Sequence, residues 1–126
     1  MIDNMNRRIF ALEDYTCSND QNATVTEITQ TENSSIAVWL VKPGQIVPSH
    51  YHPHGQDSWI MIKGTLTYYL GDGQSQSLNA GEIALAQKNQ IHGAINKSNE
   101  DAVFVSIYSA PNIGYEKALL TDDENY

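Results

Sequence analysis

The stretch Gly44-Gln45-Ile46-Val47-Pro48-Ser49-His50-Tyr51-His52-Pro53-His54-Gly55-Gln56-Asp57-Ser58-Trp59-Ile60-Met61-Ile62-Lys63-Gly64 decides how this chain reads. In an extended strand successive side chains alternate faces, so His50 and His52 project to one side and Tyr51 to the other. Pro53 and Gly55 break the extended run, which leaves His54 on a loop at the rim. Asp57 then opens a second run that ends at Gly64, with Trp59 and Met61 on its own parity. An antiparallel neighbour would set the Asp57 carboxylate beside the two imidazoles.

Working outward, the same texture continues in both directions. Residues 25–31, 36–41 and 46–52 precede the break, and 58–63 turns at Gly64 into 65–70 with a strong hairpin signal. Gly71-Asp72-Gly73 is a second tight turn before 75–78; 82–86, 91–96 and 102–109 complete the strands. Turn residues recur about every 8–12 positions with no helical pattern between them, so the expectation is an all-β sandwich or barrel. One short helix is expected at 113–120, followed by an acidic tail.

The whole chain, 126 residues, falls in the size range of one domain. A single cysteine, Cys17, excludes an intramolecular disulfide and any multi-thiolate zinc or iron–sulfur site, and suits a reducing compartment. The net charge of −8 repels phosphate backbones, so neither a nucleic-acid partner nor a membrane-surface partner is expected. The N-terminal residues lack the apolar segment of a secretory signal and no run reaches the length of a membrane span, so the expected location is cytoplasmic. Histidine is scarce, four in all, and the one outside the quoted stretch, His92, opens a distant strand. It becomes a fourth partner for His50, His52 and Asp57 if that strand crosses the same interior.

Two spaced motifs then carry a family resemblance. Gly44, five residues, His50, one residue, His52, four residues, Asp57, six residues and Gly64 resembles the first cupin motif, with aspartate where that family usually carries glutamate. Gly81, five residues, Gln87, one residue, Asn89, two residues, His92, three residues and Asn96 resembles the second, with Gln87 in place of its proline and Asn89 in place of its second glycine. The resemblance implies a double-stranded β-helix, or jelly-roll barrel, as a single cupin domain over 1–126. Its motif core would span 44–96, with an N-terminal arm at 1–24 and a short helix plus acidic tail at 111–126.

Carried over by position, the resemblance implies metal ligands at His50, His52, Asp57 and His92. Three imidazoles and a carboxylate suit one divalent transition ion, iron, manganese, nickel or zinc, and in an octahedral sphere they leave two positions for oxygen ligands. Gln56 competes with Asp57, since an amide oxygen also coordinates and alternation puts the two on opposite faces. His54 and Tyr51 are the candidate catalytic side chains; the Tyr68, Tyr69 and Tyr108 hydroxyls are further possible acids or orienters, and Glu82 would add to a catalytic reading if it faced the open metal positions. The expected function is a metal-dependent enzyme of dioxygenase, isomerase or lyase type on a small oxygen-rich molecule. The alternative is a non-catalytic module that binds a metal or small ligand, and a homodimer is the expected assembly.

Overall fold

The computed structural model describes residues 7–118. Ten strands account for nearly all its regular structure: β1 (Thr24–Gln30), β2 (Ser35–Val41), β3 (Ile46–Tyr51), β4 (Asp57–Lys63), β5 (Thr65–Gly71), β6 (Gln74–Asn79), β7 (Ile83–Ala86), β8 (His92–Ile95), β9 (Ala102–Tyr108) and β10 (Glu116–Lys117). A single 3-10 turn at Leu12–Asp14 is the one helical piece among the described residues. The strands form two antiparallel sheets, β1-β2-β9-β4-β7 and β10-β3-β8-β5-β6, facing each other as a double-stranded β-helix. No helix among the described residues is long and apolar enough to cross a membrane.

The core lies between the sheets. Trp59 and Met61 of β4, Phe104 of β9 and Val41 of β2 meet Val47, Leu66, Tyr68, Leu78 and Ala94 of the opposite sheet. Trp59 stacks on Phe104 at 4.0 Å between centroids and meets the Tyr68 ring edge-on at 5.1 Å. Each large apolar side chain removed from water contributes about 1.5–3 kcal/mol, so this band fixes which face of every strand points inward. The parity shared by Asp57, Trp59 and Met61 therefore carries Asp57 into the interior with the two apolar residues.

Nine strands fall where the turn punctuation predicts them, but one connection differs. The signal at Gly64 predicts a hairpin of β4 with β5; instead β4 pairs with β7 and β9, and β5 pairs with β6 and β8. The chain crosses between sheets at Gly64, because Trp59 and Tyr68 bury their rings against each other across the interior rather than side by side on one sheet. The expected antiparallel neighbour for Asp57 is corrected with it: the carboxylate reaches the histidines from the facing sheet.

The helix expected at 113–120 is not formed where the structure describes it. Glu116 and Lys117 pair with Tyr51 and His50 as β10, and the Ala118 N–H donates to the Ser49 carbonyl at 3.0 Å. Backbone donors needed for a helix are spent on the edge of β3. Residues 119 and 120, like the acidic tail, lie outside the described residues.

Gly64 also gives the fold a test. It sits at φ +80°, and a Cβ there would lie 2.6 Å from the Asp101 carbonyl oxygen, whereas at Gly44, φ +84°, a Cβ would meet nothing within 4 Å. Gly44→Ala should cost only the left-handed backbone penalty, ~1–2 kcal/mol, and Gly64→Ala that penalty plus a backbone clash, ~2–5 kcal/mol in all. Urea denaturation of both variants measures the difference; equal losses would contradict the sheet-crossing role of Gly64.

Candidate metal centre

The β3–β8 ladder builds one wall of the site. His50 pairs directly with His92, and the same parity adds His52 just past the end of β3. All three rings are buried, and their centroids lie 4.2 Å (His50 to His92), 4.8 Å (His50 to His52) and 5.2 Å (His52 to His92) apart.

Each ring is held by the same device. Nδ1 of His50 lies 2.7 Å from the Pro48 carbonyl oxygen, Nδ1 of His52 2.5 Å from that of Gly114, and Nδ1 of His92 3.0 Å from that of Gln90. A carbonyl can only accept, so Nδ1 carries the proton and in the neutral ring Nε2 keeps its lone pair; only a ring that takes a second proton donates from Nε2 to Asp57. Backbone acceptors thus set both the tautomer and the ring orientation, the arrangement that metal-binding imidazoles require.

Asp57, 2% exposed, supplies the opposing charge from the other sheet. Its Oδ2 accepts a hydrogen bond from Trp59 Nε1 at 2.9 Å and lies 3.3 Å from Nε2 of both His52 and His92. Ser106 donates its hydroxyl to Oδ1. Burial opposes the carboxylate's charge, but the contacts with His52, His92 and Ser106 outweigh it and hold the Asp57 pKa well below the usual range. Burial, with His92 nearby, pushes His50 down to about 3, so its ring is neutral at pH 7. At His52 burial again disfavours charge, yet the Asp57 carboxylate and the Gly114 carbonyl bring the net shift upward.

One donor atom from each of His50, His52, Asp57 and His92 lies within 4.8 Å of the others. His52 Nε2 is buried with no hydrogen-bond partner. Bonds of about 2.1 Å to one ion put neighbouring ligand atoms about 3 Å apart, which the 3.3 Å separations at Asp57 approach. The donor set therefore fits a divalent ion, and the shorter aspartate reaches the cluster despite standing where glutamate is usual.

The other sequence candidates stay outside the cluster. Gln56 is exposed, its backbone N–H donating to Ser109 Oγ at 2.9 Å, so of the pair Gln56 and Asp57 only Asp57 enters the cluster. His54 is exposed on the 53–55 loop, and Tyr51 is half-buried on the opposite face of β3 from His50. Glu82 accepts from the Asn79 N–H and serves that turn, and Tyr69 accepts from the Gly73 N–H. Tyr108 does approach, 5.8 Å from the His52 ring, and Tyr68 lies 6.3 Å from that of His92. Burial and the Asp57 charge raise the pKa of both phenols.

Sequence reasoning missed three contributors. Ser106 shares the inward parity of Phe104 on β9, a signal that could have found it, though nothing local says which serine meets a carboxylate. Tyr115 stacks on His50 at 4.7 Å and 22°, and Gly114 orients His52; both belong to the segment read from sequence as helix.

The geometry now meets the comparisons with known proteins. The cupin domain model Cupin_2 matches residues 37–108. This chain belongs to the cupin family. The cupin is similar over 90% of its length to a conserved protein with a double-stranded β-helix domain from Klebsiella pneumoniae, with 38% identity and a TM-score of 0.86, covering 99% of that chain. It is 27% identical over 111 residues to germin-like protein 9-3 of Oryza sativa subsp. japonica, a match covering 79% of this chain and 52% of the rice protein. A structure of oxalate oxidase aligns with a TM-score of 0.69 and 25% identity, over 80% of this chain and 57% of that one. The cupin spans about half or less of the length of the curated relatives it matches.

The hydrogen bond from Ser106 makes a test of the carboxylate. Ser106→Ala removes a donor that stabilises the ionised form, so divalent-ion affinity should fall roughly 10- to 100-fold with the fold retained. Isothermal titration with zinc or manganese reads the change; an unchanged affinity would remove Ser106 from the site.

Proposed function

We propose that this cupin is a metal-dependent enzyme acting on a small oxygen-rich molecule. His50, His52, Asp57 and His92 would hold one divalent transition ion, iron, manganese, nickel or zinc. The observation that carries this reading is the buried Nε2 of His52, which no donor meets and which faces a buried carboxylate at 3.3 Å, with each of the three imidazoles oriented through Nδ1 by a backbone carbonyl. A buried polar atom left without a partner costs free energy unless some further group meets it. An ion there would supply Lewis-acid polarisation and a template for oxygen ligands, and with iron a centre for O₂ chemistry.

The protein's own part is to keep His50 uncharged, to orient the donor set and to leave access beside His52. A cavity of about 310 Å³ borders that residue, with Tyr108, Ile113 and Tyr115 in its wall. The similarity to oxalate oxidase supports an oxygen-bearing small molecule as substrate, by analogy of fold and donor set. Dioxygenase, isomerase and lyase chemistry are each compatible with that set. A non-catalytic module is the second reading, favoured by the exclusion of His54 and Tyr51 from the cluster, which leaves no dedicated acid or base among the sequence candidates.

Residues 1–126 are read as one cupin domain, and an unpaired Cys17 accords with a reducing, cytoplasmic setting. Assembly as a homodimer has its support on the outer face of the β1-containing sheet. Ile60 pairs with both Ile83 and Val105 there, and Ile62, Ile83 and Leu85 stay 46%, 66% and 51% exposed. Light scattering should give twice the chain mass for wild type and the monomer mass for Ile83→Lys; a monomeric wild type would refute the dimer.

Untagged protein should carry about one transition ion per chain by elemental analysis, and His92→Ala or Asp57→Ala should lose it. Wild type that arrives without metal and cannot be reconstituted would overturn the reading. Turnover by the loaded protein across diketones, phenols, keto acids and sugars separates enzyme from binding module.

A further inference from the structure

We infer that the ligand taken at this centre is a planar phenolic or enolic molecule laid against Tyr115, and not a small dicarboxylate. The inference rests on the metal-centre reading above and narrows its substrate class.

Three observations converge on it. First, the open depression beside His52, about 310 Å³, has room for a molecule of one ring. Second, two tyrosine rings stand in its wall beside the His52 imidazole. Tyr115 lies stacked on His50 and 6.2 Å from His52, and it is 55% exposed although its ring covers a buried imidazole. Tyr108 meets His52 edge-on from the other side, at 69°. Stacked and edge-to-face contacts of this kind favour an aromatic or conjugated planar guest over a compact polar one.

Third, the cavity offers a dicarboxylate no cation of its own. Its lining contains neither arginine nor lysine. Carboxylates are normally recognised through paired cationic donors, so a second carboxylate held away from the ion would stay unpaired. Lys117, set opposite His50 in the β10–β3 register, is exposed and outside that lining. A phenol or enol needs no such cation: it brings one or two oxygens for the ion and a flat face for Tyr115.

The 113–118 segment explains how the ring is presented. Gly114 holds His52 through its carbonyl, the Ile113 carbonyl accepts from the His54 N–H at 2.9 Å, and Ala118 is tied to Ser49. Tyr115 is thus fixed on both sides by bonds to the β3 edge and the 53–55 loop, and its ring is preorganised for a guest.

The test uses full-length protein, metal-loaded and metal-stripped, with 4-nitrocatechol and oxalate as probes. Calorimetry and the nitrocatechol absorption band read binding, and elemental analysis of the same samples reads metal. The loaded wild type should bind nitrocatechol at least about ten-fold more tightly than oxalate. Tyr115→Leu, which keeps apolar cover over His50, should weaken nitrocatechol roughly three- to ten-fold with metal content unchanged, and Tyr115→Phe should restore it. In stripped protein, nitrocatechol should still quench tryptophan fluorescence in a Tyr115-dependent way.

Oxalate binding as tight as nitrocatechol, an oxalate affinity lost in Lys117→Ala, or no effect of Tyr115→Leu in either form overturns the inference while leaving the metal centre standing. A wild type that holds no metal but shows Tyr115-dependent quenching has the opposite consequence: the metal reading fails and the planar-ligand site stands.

Discussion

The buried Asp57 carboxylate is the constraint around which this cupin is arranged. An ionised carboxylate taken out of water is costly by several kcal/mol unless its lone pairs are met. Here Trp59 Nε1 and the Ser106 hydroxyl meet them from within the same sheet, and the imidazoles of His52 and His92 approach from the facing one. The one group therefore demands that β4, β9, β3 and β8 hold a single relative placement. The Trp59–Phe104 stack that anchors the core sits one turn of the pleat away, so packing and the polar cluster enforce the same geometry.

The departures from the cupin motifs also find physical reasons. Asn89 replaces a glycine, and it takes φ +68°, a left-handed conformation that asparagine tolerates better than most residues; its N–H donates to the His52 carbonyl at 2.9 Å. Asn96, fully buried, donates to the Val41 and Glu100 carbonyls and accepts from Ser98, and its carbonyl receives the Gly44 N–H at 2.7 Å. The last residue of one motif is thereby bonded to the first residue of the other. Asn89 thus ties the loop before β8 to His52, while the Asn96–Gly44 bond closes the other end of the β3–β8 ladder, beyond Ile46 and Ile95.

Short-range pattern in the chain went far. Turn residues and β-branched runs locate nine strands within a residue or two, and period-two alternation sets His50 beside His52 and Asp57 with Trp59 and Met61. The family resemblance adds His92. What failed was pairing: a hairpin signal at Gly64 is indistinguishable from a crossover, since both need a glycine at positive φ between two strands. The C-terminal strand was invisible for a related reason. At two residues it has no periodicity, and it exists only because the β3 edge offers carbonyls and N–H groups to it.

Sequence alone determined nine of the strands, their inward faces and the residue types able to gather around an ion, because alternation along a strand is a local geometric property. Only the tertiary structure decided which of the neighbours His54, Gln56 and Asp57 belongs with the histidines, that Ser106 braces the carboxylate, and that Gly114 and Tyr115 return to orient and cover the site. Those outcomes depend on which strand faces which across the interior. That choice is made by the burial of Trp59, Tyr68 and Phe104 against one another, over separations in sequence that no local pattern spans.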